Sequence, residues 1–153
     1  MRYLFILLVG LFFLLSCASQ PPEANGQTEI ELKSILEKSF AGDADAQLRL
    51  GARYDFGVGV PENDVEAVKW YRKAAAQGHA GSQHHLGLSY AMGEGVPQDF
   101  VEAYAWLNIA AAQGNKKAIE ARDICKKILD SDSLAKAQER SREYFKKYVF
   151  PFQ

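Results

Sequence analysis

The chain has few of the residues that build disulfide frameworks, metal centres or membrane spans. It contains two cysteines, Cys17 and Cys125, and three histidines, His79, His84 and His85. Its longest apolar run, residues 3–15, has 13 residues, whereas a membrane-spanning helix needs about 20. Two cysteines, one of them beside this run, leave no internal disulfide for the folded part. The fold must therefore be held by packing.

Motifs for catalysis, metals and nucleotides are absent from the sequence. It has no Gly-x-Ser-x-Gly elbow and no helical His-Glu-x-x-His. His84 and His85 are adjacent and point about 100° apart on a helix, a poor arrangement for shared metal ligation. The glycines at 57–61 lack the preceding strand and the Lys-Ser pair of a phosphate loop. We therefore expect no catalytic residue, metal, cofactor or nucleic-acid partner.

The first residues have the layout of a secretory signal peptide, with Arg2 before the apolar run. Leu14-Leu15-Ser16-Cys17 resembles a bacterial lipobox, which implies a signal peptide at 1–16 and lipidation of Cys17. Ala18, in place of an inner-membrane retention aspartate, implies an outer-membrane lipoprotein facing the periplasm. Residues 17–28 are then a lipidated N-terminus and tether. An ordinary cleaved signal and a short uncleaved anchor are the alternatives.

A 36-residue unit repeats without a gap: residues 43–78 match residues 79–114. Self-similarity at a period of about 20–50 residues is typical of stacked repeats, in which each unit buries its apolar face against its neighbours. The recurring residues, which we expect to be structural, are Gly51, Tyr54, Gly57, Gly59 and Trp70 in the first unit and Gly87, Tyr90, Gly93, Gly95 and Trp106 in the second.

Apolar residues fall at helical spacing twice in each unit, which predicts two helices per unit. Their boundaries carry sequence signals. Gly78 and Gly114 are predicted to close helices in the left-handed conformation. The predicted N-caps or first residues are Asp43, Asn63-Asp64, Asp99 and Asn115.

Gly51 and Gly87 lie inside the first helix of each unit, where a glycine costs about 1 kcal/mol relative to alanine. They therefore predict a close approach of the second helix. We expect Trp70 or Trp106 to fill the space beside them. Cys125, between Ile124 and Lys126 in a helical pattern, is predicted to be a buried structural cysteine.

The repeated pattern Ala-x-Ala-Gln-x-x-Leu-Gly-x-x-Tyr-x-x-Gly-x-Gly-Val-Pro, followed by Glu-Ala-x-x-Trp and Ala-Ala-x-Gln-Gly, resembles the Sel-one-like repeat, a relative of the tetratricopeptide repeat. The resemblance covers residues 44–61, 65–78, 80–97 and 101–114. It implies an all-α protein, a right-handed α-α superhelical solenoid of about two full units with capping helices. The domain would run over 29–153, with an N-terminal helix at 29–41 and C-terminal capping helices at 115–150.

Charge is uneven along the chain. Residues 18–114 carry 7 basic and 13 acidic side chains, a net charge of −6, whereas residues 115–153 carry 10 basic and 6 acidic, a net charge of +4. Solvated helix faces explain such a pattern. The alternative is that the basic end meets an anionic partner or surface.

The resemblance implies a scaffold or adaptor whose concave face, lined by the first helix of each unit, binds a protein or peptide of unknown identity. A hydrolase or binder of cell-wall or β-lactam substrates and a structural envelope subunit are the alternatives. Positions that vary between units are the groove-facing candidates: Asp45, Leu48, Ala52, Asp55, Gly81, His84, Leu88, Ala91, Lys117 and Glu120.

Overall fold

The structure, a computed structural model, describes residues 26–152. Within this range the chain is entirely helical, without a β-strand, and forms a short α-solenoid. The predicted signal peptide, Cys17 and residues 18–25 of the predicted tether lie outside it. The helices are α1 (Gly26–Phe40), α2 (Ala44–Phe56), α3 (Asp64–Ala75), α4 (Ala80–Met92), α5 (Phe100–Ala112), α6 (Lys116–Ile128) and α7 (Ser131–Tyr148), followed by a 3-10 helix (Phe150–Phe152).

Polar side chains begin the helices where the sequence predicts. The side chains of Asp43, Asn63, Asp99 and Asn115 accept hydrogen bonds from backbone N–H groups in the first turns of α2, α3, α5 and α6. These groups would otherwise lack partners inside the helix. The last helix begins at Ser131, and Asp130 is its N-cap.

The helix ends are confirmed as well. Gly78 and Gly114 have φ angles of 84° and 89°, in the left-handed region that glycine tolerates without steric cost. Gly42, at the end of α1, has a φ of 97°. Helix α1 therefore ends in the same way as the second helices of the two units. Its start, at Gly26, precedes the predicted residue 29.

The close helix approach at Gly51 and Gly87 is confirmed, but the predicted neighbours are wrong. A Cβ atom at Gly51 would lie 2.6 Å from Cε1 of Tyr71, and one at Gly87 would lie 2.6 Å from Cγ of Leu107. Trp70 and Trp106 directly precede Tyr71 and Leu107 in the chain, but their side chains point away from the glycines. Trp70 packs with Ile35 and Leu50 in the gap between α1, α2 and α3.

In each unit a buried glutamine and a second, more exposed one tie successive helices together. Gln47 Nε2 donates to the Ser39 carbonyl of α1 at 3.1 Å, and Gln47 Oε1 accepts from Gln77 at 2.8 Å. The second unit repeats this arrangement, with Gln83 Nε2 on the Ala75 carbonyl at 3.2 Å and Gln113 on Gln83 Oε1 at 2.6 Å. Gln47 and Gln83 thus give a second hydrogen bond to the Ser39 and Ala75 carbonyls near helix ends, which already accept from the backbone N–H groups of Gly42 and Gly78.

The last helix breaks the pattern of the units. Helix α7 packs along α5, which α6 also contacts, instead of folding back onto α6. The glycine position of the units holds Asp123 in α6, whose side chain is exposed and paired with Arg122, so a second helix cannot approach there. On α5, the Trp106 ring lies 4.5 Å from that of Tyr144 and 5.3 Å from that of Tyr148. Trp106 therefore fills an inter-helix gap, although not beside Gly87.

Candidate protein-binding surface

The first helices of the units, α2 and α4, come together at their N-terminal halves, as a groove along them requires. A Cβ atom at Gly81 would lie 3.3 Å from Cδ2 of Leu48. His79, the N-cap of α4, accepts a hydrogen bond at Nδ1 from the Ser82 backbone N–H at 3.1 Å, which leaves Nε2 as the protonated nitrogen. That Nε2 lies 3.0 Å from Asp45 Oδ1 of α2 and donates to it.

The predicted groove residues differ in their access to solvent. Three of them, Asp45, Lys117 and Glu120, are exposed. His84 is buried, with 8% of its surface exposed, so its ring is not available to a ligand and a substitution there would disturb the core. The remaining candidates are half-buried: Leu48, Ala52, Asp55, Gly81, Leu88 and Ala91.

Both adjacent histidines are held neutral. Burial and the neighbouring His85 and Lys117 lower the pKa of His84 to about 4. Burial also lowers the pKa of His85, whose ring stacks on that of Tyr71 at 4.9 Å. The Tyr71 hydroxyl donates to Asp55 Oδ2 at 3.0 Å. Burial and the neighbouring Asp55 carboxylate raise the pKa of Tyr71. These contacts fix the carboxylate of Asp55 at the face of the first helices.

A cleft lies between the C-terminal ends of α2 and α4, with a volume of about 290 Å³. Its apolar lining consists of Phe56, Leu88 and Met92. Four carboxylates also line it, and no Lys or Arg does: Asp55, Glu62, Asp64 and Glu94. His85 and Ser89 complete the lining. We refer to these nine residues as the acidic cleft.

A second cleft, of about 360 Å³, lies between α1 and α2 and shares Phe56 with the acidic cleft. Its wall is fixed by Arg53, whose guanidinium donates to the Val58 carbonyl at 3.1 Å and pairs with Glu31 at 2.9 Å. Ala52, one of the predicted groove residues, also lines this cleft. Phe56 therefore lies between two adjoining clefts and contributes to the lining of both.

Sequence reasoning missed three exposed apolar residues of this face. Phe56, Met92 and Ile128 are the last residues of α2, α4 and α6 and are 69%, 54% and 53% exposed. They occupy equivalent positions, 36 residues apart. The period that identifies the structural residues also connects these three, but all three are apolar, whereas the predicted groove residues are positions that vary in chemical type between units.

Other predicted features can be placed among residues 26–152. Cys125 is buried, as predicted, and burial raises the pKa of its thiol. In this range no three His, Cys, Asp or Glu side chains converge as metal ligands would. None of the helices described has both the length and the apolar content of a membrane span.

The paired helices, the left-handed glycine ends and the glutamine ties recur at one spacing, and a family model matches the same units. The model of the Sel1 repeat matches residues 44–79 and 80–115. The chain contains two Sel1 repeats. This is the repeat that the sequence pattern resembles, and Sel1 repeat proteins are in general scaffolds for protein–protein interaction, with a fold that is typically non-catalytic.

Two solved structures are similar to the chain. One is a protective antigen of uropathogenic Escherichia coli strains that displays an SLR fold, with 34% identity, a TM-score of 0.77 and coverage of 78% of this chain and 26% of that one. The other is a Sel1 repeat protein from Oxalobacter formigenes, with 38% identity, a TM-score of 0.60 and coverage of 61% and 27%. The chain thus spans about a quarter of the length of each. No curated protein matches it.

Proposed function

We propose that this protein is an envelope-anchored scaffold that binds a protein or peptide on the face of its first helices, α2, α4 and α6. The observation that carries the proposal is the row formed by Phe56, Met92 and Ile128, exposed at one position of three successive units. Single exposed apolar residues are ordinary on protein surfaces. An aligned row beside two clefts is what a peptide-binding face requires.

The anchoring part of the proposal rests on the sequence of the N-terminus. Leu14 to Cys17 matches the lipobox pattern, and Ala18 fits sorting to the outer membrane. One acyl chain holds a protein only marginally, whereas two or more hold it stably. A triacylated Cys17 would therefore keep the scaffold at the envelope, where a partner could be recruited to it.

Site-specific photo-crosslinking in the native envelope tests the binding face. A photoreactive residue replaces Ala52, which lines the cleft between α1 and α2. In the matched control it replaces Ala112, an exposed alanine on the second helix α5. We expect discrete adducts with another protein from position 52 and few from position 112. Adducts from position 112 alone would place the interaction on the second helices and overturn the proposal.

A further inference from the structure

We propose that the acidic cleft receives a basic segment of a partner protein, with a Lys or Arg side chain at the carboxylates and a neighbouring large apolar side chain against Phe56, Leu88 and Met92. This inference rests on the proposed function and specifies the chemistry of the partner. The size of the cleft favours a peptide over a small molecule. Its volume of about 290 Å³ lies at the lower limit of small-molecule pockets, which is about 300–1,000 Å³.

The charge of the cleft is not compensated from within the described part of the chain. Several carboxylates elsewhere are paired: Glu31 with Arg53, Glu66 with Lys69, and Glu102 with Arg140. Over residues 26–152, by contrast, no Lys or Arg forms an ion pair with Glu62, Asp64 or Glu94. A cationic side chain would supply the missing partner, and an arginine could engage a carboxylate through two parallel hydrogen bonds.

The interior of the cleft adds no positive charge of its own. His85 is the one basic side chain in its lining, and burial keeps that imidazole neutral by lowering its pKa. Asp55 is held in place by the Tyr71 hydroxyl at 3.0 Å. An anionic ligand, such as a phospholipid headgroup or a nucleic acid, would therefore meet only like charge here.

The apolar part of the cleft makes a polycationic ligand without apolar side chains a poor fit. Phe56 and Met92 are mostly exposed, and each gains free energy when a partner removes its surface from water, at about 25 cal/mol per Å². Opposite charge selects the partner and speeds the encounter, whereas the apolar contact slows dissociation. The occupant that meets both demands is a segment with a basic and a large apolar residue side by side.

Selection of peptides from a random library displayed on phage, with the full chain in detergent as target, tests this assignment. We expect enrichment of Lys or Arg next to Leu, Ile, Met or Phe. Enrichment of acidic or purely apolar sequences, or no enrichment, would overturn it. The best peptide is then labelled, and its affinity is measured by fluorescence anisotropy at low and high salt, where the affinity should fall as salt rises.

Variants locate the binding in the cleft. Glu62→Gln with Glu94→Gln should weaken the affinity for the peptide about tenfold, as should Met92→Ser, which removes apolar contact without adding charge. The controls Glu37→Gln and Ile30→Ser change an exposed acid and an exposed apolar residue of α1, outside the lining, and should have no effect. Equal affinity of the cleft variants and wild type would overturn the assignment.

Three further outcomes separate this inference from its alternatives. Self-association that the cleft variants abolish, seen in sedimentation, would mean that a second copy supplies the basic segment and would overturn a heterologous partner. If the crosslinks at position 52 persist while no basic peptide binds, the inference fails but the scaffold proposal stands. If both fail, the proposed function fails as well.

Discussion

Replacing Gly87 by alanine sets two effects of opposite sign against each other. In a helix interior, alanine is more favourable than glycine by about 1 kcal/mol. The added Cβ, however, would lie 2.6 Å from Leu107 Cγ and 3.2 Å from the Ala103 carbonyl oxygen. Carbon atoms in contact are normally about 3.5–4.0 Å apart. Because Leu107 and Ala103 are fully buried, α4 and α5 must separate or Leu107 must leave its rotamer.

The packing effect should win. Overpacking a buried site costs about 1–3 kcal/mol, and the rigid backbone oxygen on one side of Gly87 limits relaxation, which favours the upper part of that range. After the gain in helix propensity, we expect Gly87→Ala to lower the free energy of unfolding by about 1–2 kcal/mol. Urea denaturation followed by circular dichroism measures the change.

A control variant calibrates the propensity in this chain. Ala135 is exposed in the second turn of α7, so Ala135→Gly reports the glycine penalty without a packing change, about 1 kcal/mol. If Gly87→Ala stabilises the protein by as much as Ala135→Gly destabilises it, the close approach at Gly87 does not limit packing. The explanation given for the recurring glycines would then be wrong.

Three further predictions concern the core, pH and the anchor. Trp106→Ala should lower the free energy of unfolding by about 3–5 kcal/mol, because the side chain is 7% exposed and stacks on α7; unchanged unfolding with lost partner binding would assign it to the ligand instead. The pKa of His84 is about 4 in the folded chain against an ordinary 6.5, so the unfolded chain binds that proton more readily and stability falls as pH drops below about 6.5. By pH 5 His84 accounts for a loss of about 2 kcal/mol, and His84→Gln should remove that part of the pH dependence in parallel urea titrations, while the part from His85, whose pKa burial also lowers, remains. Cys17→Ser should release the protein from the membrane fraction. If the variant has lost its leader and still stays with the membrane fraction after a high-salt wash, the lipobox interpretation is wrong.

The sequence predicts the helix boundaries well because each depends on one local residue. An Asp or Asn side chain can cap only the N–H groups beside it, and a left-handed turn needs a glycine at one position. Asp43, Asn63, Asp99 and Asn115 therefore cap helices as expected. Because the unit repeats, such signals occur twice in the sequence, which supports the assignment more strongly than a single unit would.

Contacts between helices are harder to predict, since adjacent helical residues point about 100° apart. The sequence shows that something large must lie beside Gly51 and Gly87, but the helix rotation decides between Trp70 and Tyr71 and between Trp106 and Leu107. The same rotation buries His84 and turns His85 into the acidic cleft. Which of two neighbours faces inward is settled by packing against other helices, which the sequence of one helix does not contain.

The first junction between units lies between α2 and α4, and the second lies between α4 and α6. The two junctions share apolar residues but differ in charge. The apolar row continues into the third unit, where Ile124 and Ile128 stand at the positions of Leu88 and Met92. The carboxylates do not continue. At the positions of Asp55, Glu62, Asp64 and Glu94, the next junction has Ala91, Gln98, Phe100 and Asp130.

One of four carboxylates therefore remains at the second junction, although the backbone of the units repeats. The basic residues of the chain, moreover, concentrate beyond Gly114. A bound segment that followed the first helices would meet apolar contacts along its whole length, but attraction for a cation only at the first junction and like charge towards the C-terminal end. The repeat thus supplies a face that could hold many extended segments. The carboxylates that do not recur would then set the direction in which a bound segment lies along this face.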